Sequence, residues 1–460
     1  MEPFTLGRLV RAVGGVCSGP THRVVAGVST DSRSLRAGEV FFALSGPNFD
    51  GGAFVEAAFA RGAAACVVAG SHAADDRRLV RVEDVGQALL RFAASYRDEL
   101  NPRVVAITGS AGKTTTKELI RAMVERRLRA VAAPKSFNNA VGVPRTLFAA
   151  DRRTEVVVLE LGTNAPGEIA ELAAVARPDV AVITCVGAAH EGRLGGPEGV
   201  AREKLSLLAS LRPGGAAILN GDDPRLRAAA RARPDAALCG LDGDCAWSAR
   251  WLPAERALEV AWPGGEPLRA ELPVPGRAFA QDALLALAAA ERLGVEPAHA
   301  LARLAEFAPP PGRFVQARAG GVLVVDDTYN ANPTSVLASL DTFCGLEAPA
   351  GRAVVLGGML ELGEGSAAHH RRVGRAIAAA GVDLLVAVGD EARAAADGAW
   401  NAGIGAAACV DDAEGAAAAL ATLAPGWAVL FKGSRAFGLE RAVRAVLARL
   451  SESDVGAHAA

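Results

Sequence analysis

The run RVVAITGSAGKTTT, residues 103–116, joins an apolar strand to a helical pattern through a small, glycine-rich turn. Backbone N–H groups in such a turn, at a helix N-terminus, cradle phosphates. The usual phosphate loop reads G-x-x-x-x-G-K-[ST]. Counting back from Gly112-Lys113-Thr114 puts Ile107 where the first glycine belongs, so this loop opens late, at Gly109. Across Gly109, Ser110, Ala111, Gly112, Lys113, Thr114 and Thr115, the lysine is placed to meet β and γ phosphates and Thr114 to offer a hydroxyl to Mg2+. By itself the loop specifies only a nucleoside triphosphate.

The same strand–loop–helix alternation continues on both sides. EVVVLELG (155–162), PDVAVITCVG (178–187) and GGAAILNGDD (214–223) are apolar runs suited to buried parallel strands. A strand-rich segment with tryptophans spans about 240–273, and AFAQDALLALAAAERLG (278–294) is a strong helix. APPPGRF (308–314) breaks the pattern and reads as a hinge. Beyond it lies a second series, GVLVVDD (321–327), RAVVLGG (352–358), VDLLVAVG (382–389) and WAVLFKG (427–433). Ahead of the loop, GEVFFAL (38–44) and AAACVVAG (63–70) read as strands and 85–100 as a helix, ended by Asn101-Pro102. The fold expected is α/β in three domains. Residues 1–102 form the first, 103–311 a central P-loop-type parallel-sheet ATPase domain, and 312–460 a C-terminal Rossmann-like domain. The tail after Leu450 is expected to fray.

At 460 residues the chain exceeds what one core can organise. Lys and Arg number 49 against 51 Asp and Glu, which argues against a broad nucleic-acid or membrane-surface footprint. Seven scattered cysteines, an odd number with no C-x-x-C pair, point to reduced thiols in a cytoplasmic protein. The start MEPFTLGRLVRAVGG lacks a signal-peptide pattern, and no apolar run is long enough to span a membrane. A monomer is expected.

Further candidates sit where strands end, which is where open α/β sheets bind ligands. Glu160 closes the buried run VVVLE and can serve a metal. His190 follows the next strand in a glycine-containing loop. Lys204, on the amphipathic stretch EGVAREKLSLLASL, reads on its own as a solvated face. DDTYNANPTS (326–335) clusters short polar side chains after a buried strand.

These blocks together resemble the Mur ligases of peptidoglycan synthesis. TGSAGKTTTKELI is similar to that family's short phosphate loop, which accounts for the spacing. SFNNAVGVPRTLF (136–148), LELGTNAPGEIAELA (159–173), VGAAHEGRLG (186–195), DDTYNANPTSVLASLDT (326–342) and FKGSRAFGLERAV (431–443) follow in order. STDSRSLRAGEVFFALSGPNFDG (29–51) is similar to the uridine-nucleotide-binding domain. The resemblance implies an ATP-dependent ligase that makes an acyl phosphate and then an amide, in a pathway on which cell shape and division depend. The blocks fit best the branch that adds D-alanyl-D-alanine to UDP-N-acetylmuramoyl-tripeptide. The D-N-P-R block of the branch that adds the third amino acid is absent.

By the same resemblance Lys113 holds the phosphates, and Thr114 and Glu160 serve a first Mg2+. His190 and a carbamylated Lys204 serve a second. Arg313, Asp326, Tyr329 and Asn330 contact the nucleotide. Asn138, Asn139, Lys432, Ser434 and Arg435 face the peptide substrates, and Ser29, Asp31, Ser32 and Arg33 the UDP moiety. Four positions depart from the family pattern: Gly358 for aspartate, Asp282 for the adenine-contacting asparagine, Ser206 for an acid and Ala53 for histidine.

Overall fold

RVVAIT is apolar on both faces, as suits a strand inside a parallel sheet covered on both sides, and a computed structural model places it there. The model describes residues 1–46, 49–242 and 244–457, so Pro47 and Asn48, within the 29–51 block, lie outside the described residues. The strand Arg103–Thr108 pairs in parallel with Val156–Glu160 on one side and Val180–Ile183 on the other. Its residues from Val104 to Thr108 are all buried. Ala130–Ala132 flanks Val156–Glu160, and Ala216–Asn220, Ala237–Gly240 and Trp247–Leu252 extend the other side in parallel. Two antiparallel strands, Ala257–Ala261 and Leu268–Glu271, complete nine. This arm is the tryptophan-containing segment; Trp247 stacks on Trp262 with ring centroids 5.7 Å apart.

The strand order puts three carboxyl ends side by side: the phosphate loop in the middle, Glu160 to one side and the 184–190 loop to the other. The helix Arg277–Arg292 is buried continuously from Phe279 to Ala290 because it packs on the sheet and against the phosphate-loop helix Lys113–Val124 beside it.

The C-terminal part forms a six-stranded sheet. Val322–Asp327, Trp427–Lys432, Gly351–Gly357, Leu384–Val388 and Ala406–Val410 run parallel, and Val315–Ala319 closes one edge antiparallel. Register sets Asp327 opposite Lys432. The first hundred residues carry a four-stranded parallel sheet, Gly27–Ser29, Glu39–Phe42, Ala65–Ala69 and Leu79–Val82. Their helix Val85–Leu100 ends at Asn101, which takes the left-handed conformation of a C-cap. The tail expected to fray after Leu450 stays helical, within Glu440–Ala457; its last three residues lie outside the described residues. Among the described residues, no helix is long and apolar enough to cross a membrane.

Candidate active site

The phosphate loop is shaped by its two glycines. Gly109 has φ +152°, and a Cβ there would lie 1.9 Å from Thr184 Oγ1. Gly112 has φ +81°, and a Cβ there would lie 2.3 Å from Asp282 Oδ1. Only glycine fits either place. Ser110 ties the loop to its neighbour: its Oγ donates to Gly187 O and accepts from Gly187 N, both at 2.9 Å. The Lys113 ammonium folds back to donate to Gly109 O at 2.7 Å, and burial pushes its pKa down.

Thr114 Oγ1 donates to Glu160 Oε2 at 2.8 Å. The other carboxylate oxygen accepts from Asn138 Nδ2 at 2.9 Å. Ser136 Oγ lies 2.9 Å from the same threonine hydroxyl, and Arg313 Nη2 donates to it at 3.0 Å. Arg313 comes from the APPPGRF segment that leads into the C-terminal sheet. Its guanidinium stacks 4.1 Å from the Tyr329 ring centroid, and its Nε is buried with no partner among the described residues. The Asn138–Asn139 loop is held from below by Lys117, a buried lysine that donates to Ala133 O at 2.6 Å and Lys135 O at 3.1 Å.

These groups line one cavity of about 520 Å3 between the central and C-terminal sheets. Ser110, Ala111, Gly112, Lys113, Thr114, Asn138, Asn139, Glu160, His190, Arg313, Tyr329 and Asn330 all reach it. Sequence reasoning had not singled out two further contributors. Asn332 Nδ2 donates to Ser110 O at 2.9 Å while its Oδ1 caps the helix Pro333–Cys344, so one asparagine joins the two domains. Glu361 Oε2 lies 2.6 Å from His190 Nδ1, as an ion-pair contact rather than a well-aligned hydrogen bond. Asn332 lies in the DDTYNANPTS cluster and Glu361 in the family block where Gly358 replaces the aspartate, but neither had been assigned a role of its own.

Lys204 does not line that cavity. It is 1% exposed, on the helix Gly196–Leu205. Its amine has no hydrogen-bond or ion-pair partner among the described residues. Burial, reinforced by the Lys113 charge, brings its pKa down to about 7. The solvated reading of this residue therefore fails: the side chain is buried, and burial favours the uncharged amine. Ser206 donates to Glu203 O at 2.7 Å, and the Glu203 carboxylate accepts from Gly167 N and Ile169 N at 2.7 and 2.8 Å.

A smaller adjoining cavity of about 110 Å3 holds Thr115, Asp282, Arg313, Asp327 and Lys432. Lys432 Nζ donates to Asp327 Oδ2 at 2.5 Å and Asn330 O at 3.2 Å. Burial pushes the Asp282 carboxyl up to about 8, so it carries a proton at neutral pH. Asp326 turns into its own loop and accepts from Thr328. Ser434 is buried and accepts from Leu360 N at 3.0 Å. Arg435 is mostly exposed, 5.8 Å from the Tyr329 ring centroid and 3.6 Å from Glu440. Ser29, Asp31, Ser32 and Arg33 lie apart from both cavities, in the first domain. There Asp31 accepts twice from the Arg33 guanidinium, at 2.9 and 2.8 Å, and is held down to about 2 by it.

Three family models match in order: the Mur ligase family catalytic domain over 24–97, the Mur ligase middle domain over 107–290 and the Mur ligase glutamate ligase domain over 312–435. The chain is 33% identical to the UDP-N-acetylmuramoyl-tripeptide–D-alanyl-D-alanine ligase of Bacillus subtilis, over 86% of this chain and 87% of that one. A crystal structure of MurF from Acinetobacter baumannii superposes with a TM-score of 0.88 at 29% identity, covering 97% of this chain and 99% of the other. MurF ligase from Thermotoga maritima in complex with ADP gives 0.83 at 28% identity, covering 93% and 99%. The chain belongs to the Mur ligase family.

Proposed function

We propose that the chain joins the amine of D-alanyl-D-alanine to the terminal carboxylate of UDP-N-acetylmuramoyl-tripeptide, with ATP cleaved to ADP and phosphate. The observation that carries this reading is the convergence of Lys113, Glu160, His190, Arg313 and Asn330 on one cavity between two domains. The relatives' names supply the substrates; the cavity supplies groups suited to the chemistry.

In this reading the loop N–H groups take the phosphates of ATP, and Lys113 exchanges Gly109 O for a phosphate oxygen. A carboxylate oxygen of the tripeptide attacks the γ-phosphorus and ADP leaves. The dipeptide amine then attacks the acyl carbon of the resulting acyl phosphate. The tetrahedral intermediate expels phosphate as the amine gives up its proton. Catalysis here is positioning and charge stabilisation, with Lys113 and Arg313 facing the charge that develops on the transferred group. The two domains enclose the acyl phosphate, which water would otherwise hydrolyse. Arg435, with Ser434 beside it, faces the peptide substrates; its planar fork can hold the dipeptide carboxylate by two parallel hydrogen bonds. Ser29, Asp31, Ser32 and Arg33 hold the UDP end. The reaction belongs in the cytoplasm, with its nucleotide substrates.

The donor set at Thr114 and Glu160 is hard oxygen and fits Mg2+. His190 fits a second ion together with Lys204, provided the lysine is carbamylated, since an ammonium cannot bind a cation. The amine of the buried Lys204 side chain, its pKa lowered, suits that chemistry: it adds CO2, forms an N–C bond, loses a proton and gains a carboxylate. Bound there, the metal ions would neutralise charge on the phosphates.

Asp282 takes the smaller cavity as the base site. Protonated, it offers one donor and one acceptor, the pair an asparagine amide would offer adenine. The sign follows from its raised pKa: the acid is neutral below about 8 and charged above. ATP affinity should therefore fall as pH rises through about 8, by about tenfold if one hydrogen bond of roughly 1–1.5 kcal/mol is lost. Asp282→Asn should flatten that dependence. Calorimetry on both proteins across this range checks it, and equal losses in both would remove Asp282 from base recognition.

The reading is tested by following phosphate release with ATP, Mg2+, the nucleotide tripeptide and a panel of amines. Release is expected with D-alanyl-D-alanine and little with single amino acids or with the dipeptide amide. Release with diaminopimelate on the nucleotide dipeptide, or with glutamate on folates, would move the chain to another branch. No release with any amine despite ATP binding would mark a non-catalytic nucleotide binder.

A further inference from the structure

We propose that Glu361 is a positioning residue for His190, so that docking of the C-terminal domain sets the orientation of that imidazole. This rests on the reading of His190 as a metal ligand. A carboxylate at Nδ1 draws the ring proton to that nitrogen and leaves Nε2 bare toward a cation. Glu361 Oε2 stands 2.6 Å from His190 Nδ1, nearer than any other carboxylate oxygen paired with that nitrogen among the described residues.

The backbone on both sides is committed to this contact. His190 and Glu361 both have positive φ, +57° and +66°, a conformation that residues other than glycine rarely adopt unless their surroundings impose it. Around Glu361, Met359 N donates to His370 Nε2 at 2.9 Å and Leu360 N to Ser434 Oγ at 3.0 Å. After His190, the N–H groups of Arg193 and Leu194 both donate to its carbonyl at 3.1 Å.

Two more contacts join the same segments. Glu191 Oε2 lies 3.1 Å from His369 Nε2, a second histidine–glutamate pair with the partners reversed between domains. Gly192 and Gly363 meet backbone to backbone, so closely that a Cβ on Gly192 would lie 2.6 Å from Gly363 Cα. Separating the domains would break all three, and the imidazole would lose its orienting carboxylate.

The test uses the full chain with Mn2+ as the probe, a non-hydrolysable ATP analogue and bicarbonate. Bound Mn2+ is counted by electron paramagnetic resonance, and the His190 tautomer is read by 15N NMR. Glu361→Ala should weaken the looser of two Mn2+ sites about tenfold or more, as loss of an orienting carboxylate does elsewhere. It should also shift His190 away from the Nδ1–H tautomer. Glu361→Gln should stay within about threefold of the parent, because its amide oxygen can take the same place beside Nδ1 and accept from it. Unchanged Mn2+ binding in Glu361→Ala, with a site lost in His190→Ala, would overturn the proposal. So would Glu361→Gln binding as poorly as Glu361→Ala. If His190→Ala itself keeps both sites, the metal reading of His190 fails first.

Discussion

Lys113→Ala is expected to lower phosphate release about a thousandfold or more while leaving binding of the UDP-linked substrate within about threefold. The first figure follows from removing one fixed charge aimed at the transferred phosphoryl group, worth about 4 kcal/mol in an enclosed site. The second follows from distance: Ser29, Asp31 and Arg33 lie in another domain and line neither cavity. Removing the half-buried ammonium leaves only Gly109 O without its donor, so the loop should keep its shape. Steady-state kinetics and calorimetry on the same preparation check this. Activity within about tenfold of the parent would show that Lys113 does not face the reacting phosphate.

Lys204→Ala should be comparably damaging, by about a hundredfold to a thousandfold, for a different reason. The side chain is enclosed and its amine unpartnered, so alanine leaves a space where a carbamate would present two oxygens. Small carboxylates such as acetate should restore part of the activity by supplying those oxygens from solution. A 13C signal from labelled bicarbonate should appear on the parent protein and vanish in the variant. A fully active Lys204→Ala, or no rescue and no label, would sink the carbamate reading.

Much of the fold was legible because the buried strands are dense in branched residues. Val156–Glu160 and Val180–Ile183 announce themselves this way, and each helps place a candidate at its carboxyl end. Ala130–Ala132 and Ala406–Val410 were not legible. Alanine fills this chain's helices as well as these strands, and a single valine in each leaves too little branching to read as a strand. The helix reaching past Leu450 was missed because a polar, glycine-containing tail resembles a frayed end.

At the site, the near-contiguous pieces followed from the pattern of the chain itself, whereas the cross-domain residues Arg313, Tyr329 and Asn330 came only from the resemblance and their contacts from neither. Gly109 to Thr114 and Glu160 follow from strand order, since neighbouring strands share an edge. The contacts of Arg313 with Thr114, Asn332 with Ser110 and Glu361 with His190 span 199, 222 and 171 positions. No local pattern reports which loop of one sheet will face which loop of another. Lys204 is the sharpest case. Its neighbours alternate like a surface helix, and only burial against the central domain makes its amine unusual.

The central claim is that ATP activates the tripeptide carboxylate by phosphorylating it. Labelling that carboxylate with 18O tests this directly, by mass spectrometry of the phosphate released in the presence of D-alanyl-D-alanine. An acyl phosphate requires one labelled oxygen to leave with each phosphate and the other to remain in the new amide. That is the predicted result. Phosphate free of label, with amide still formed, would contradict it.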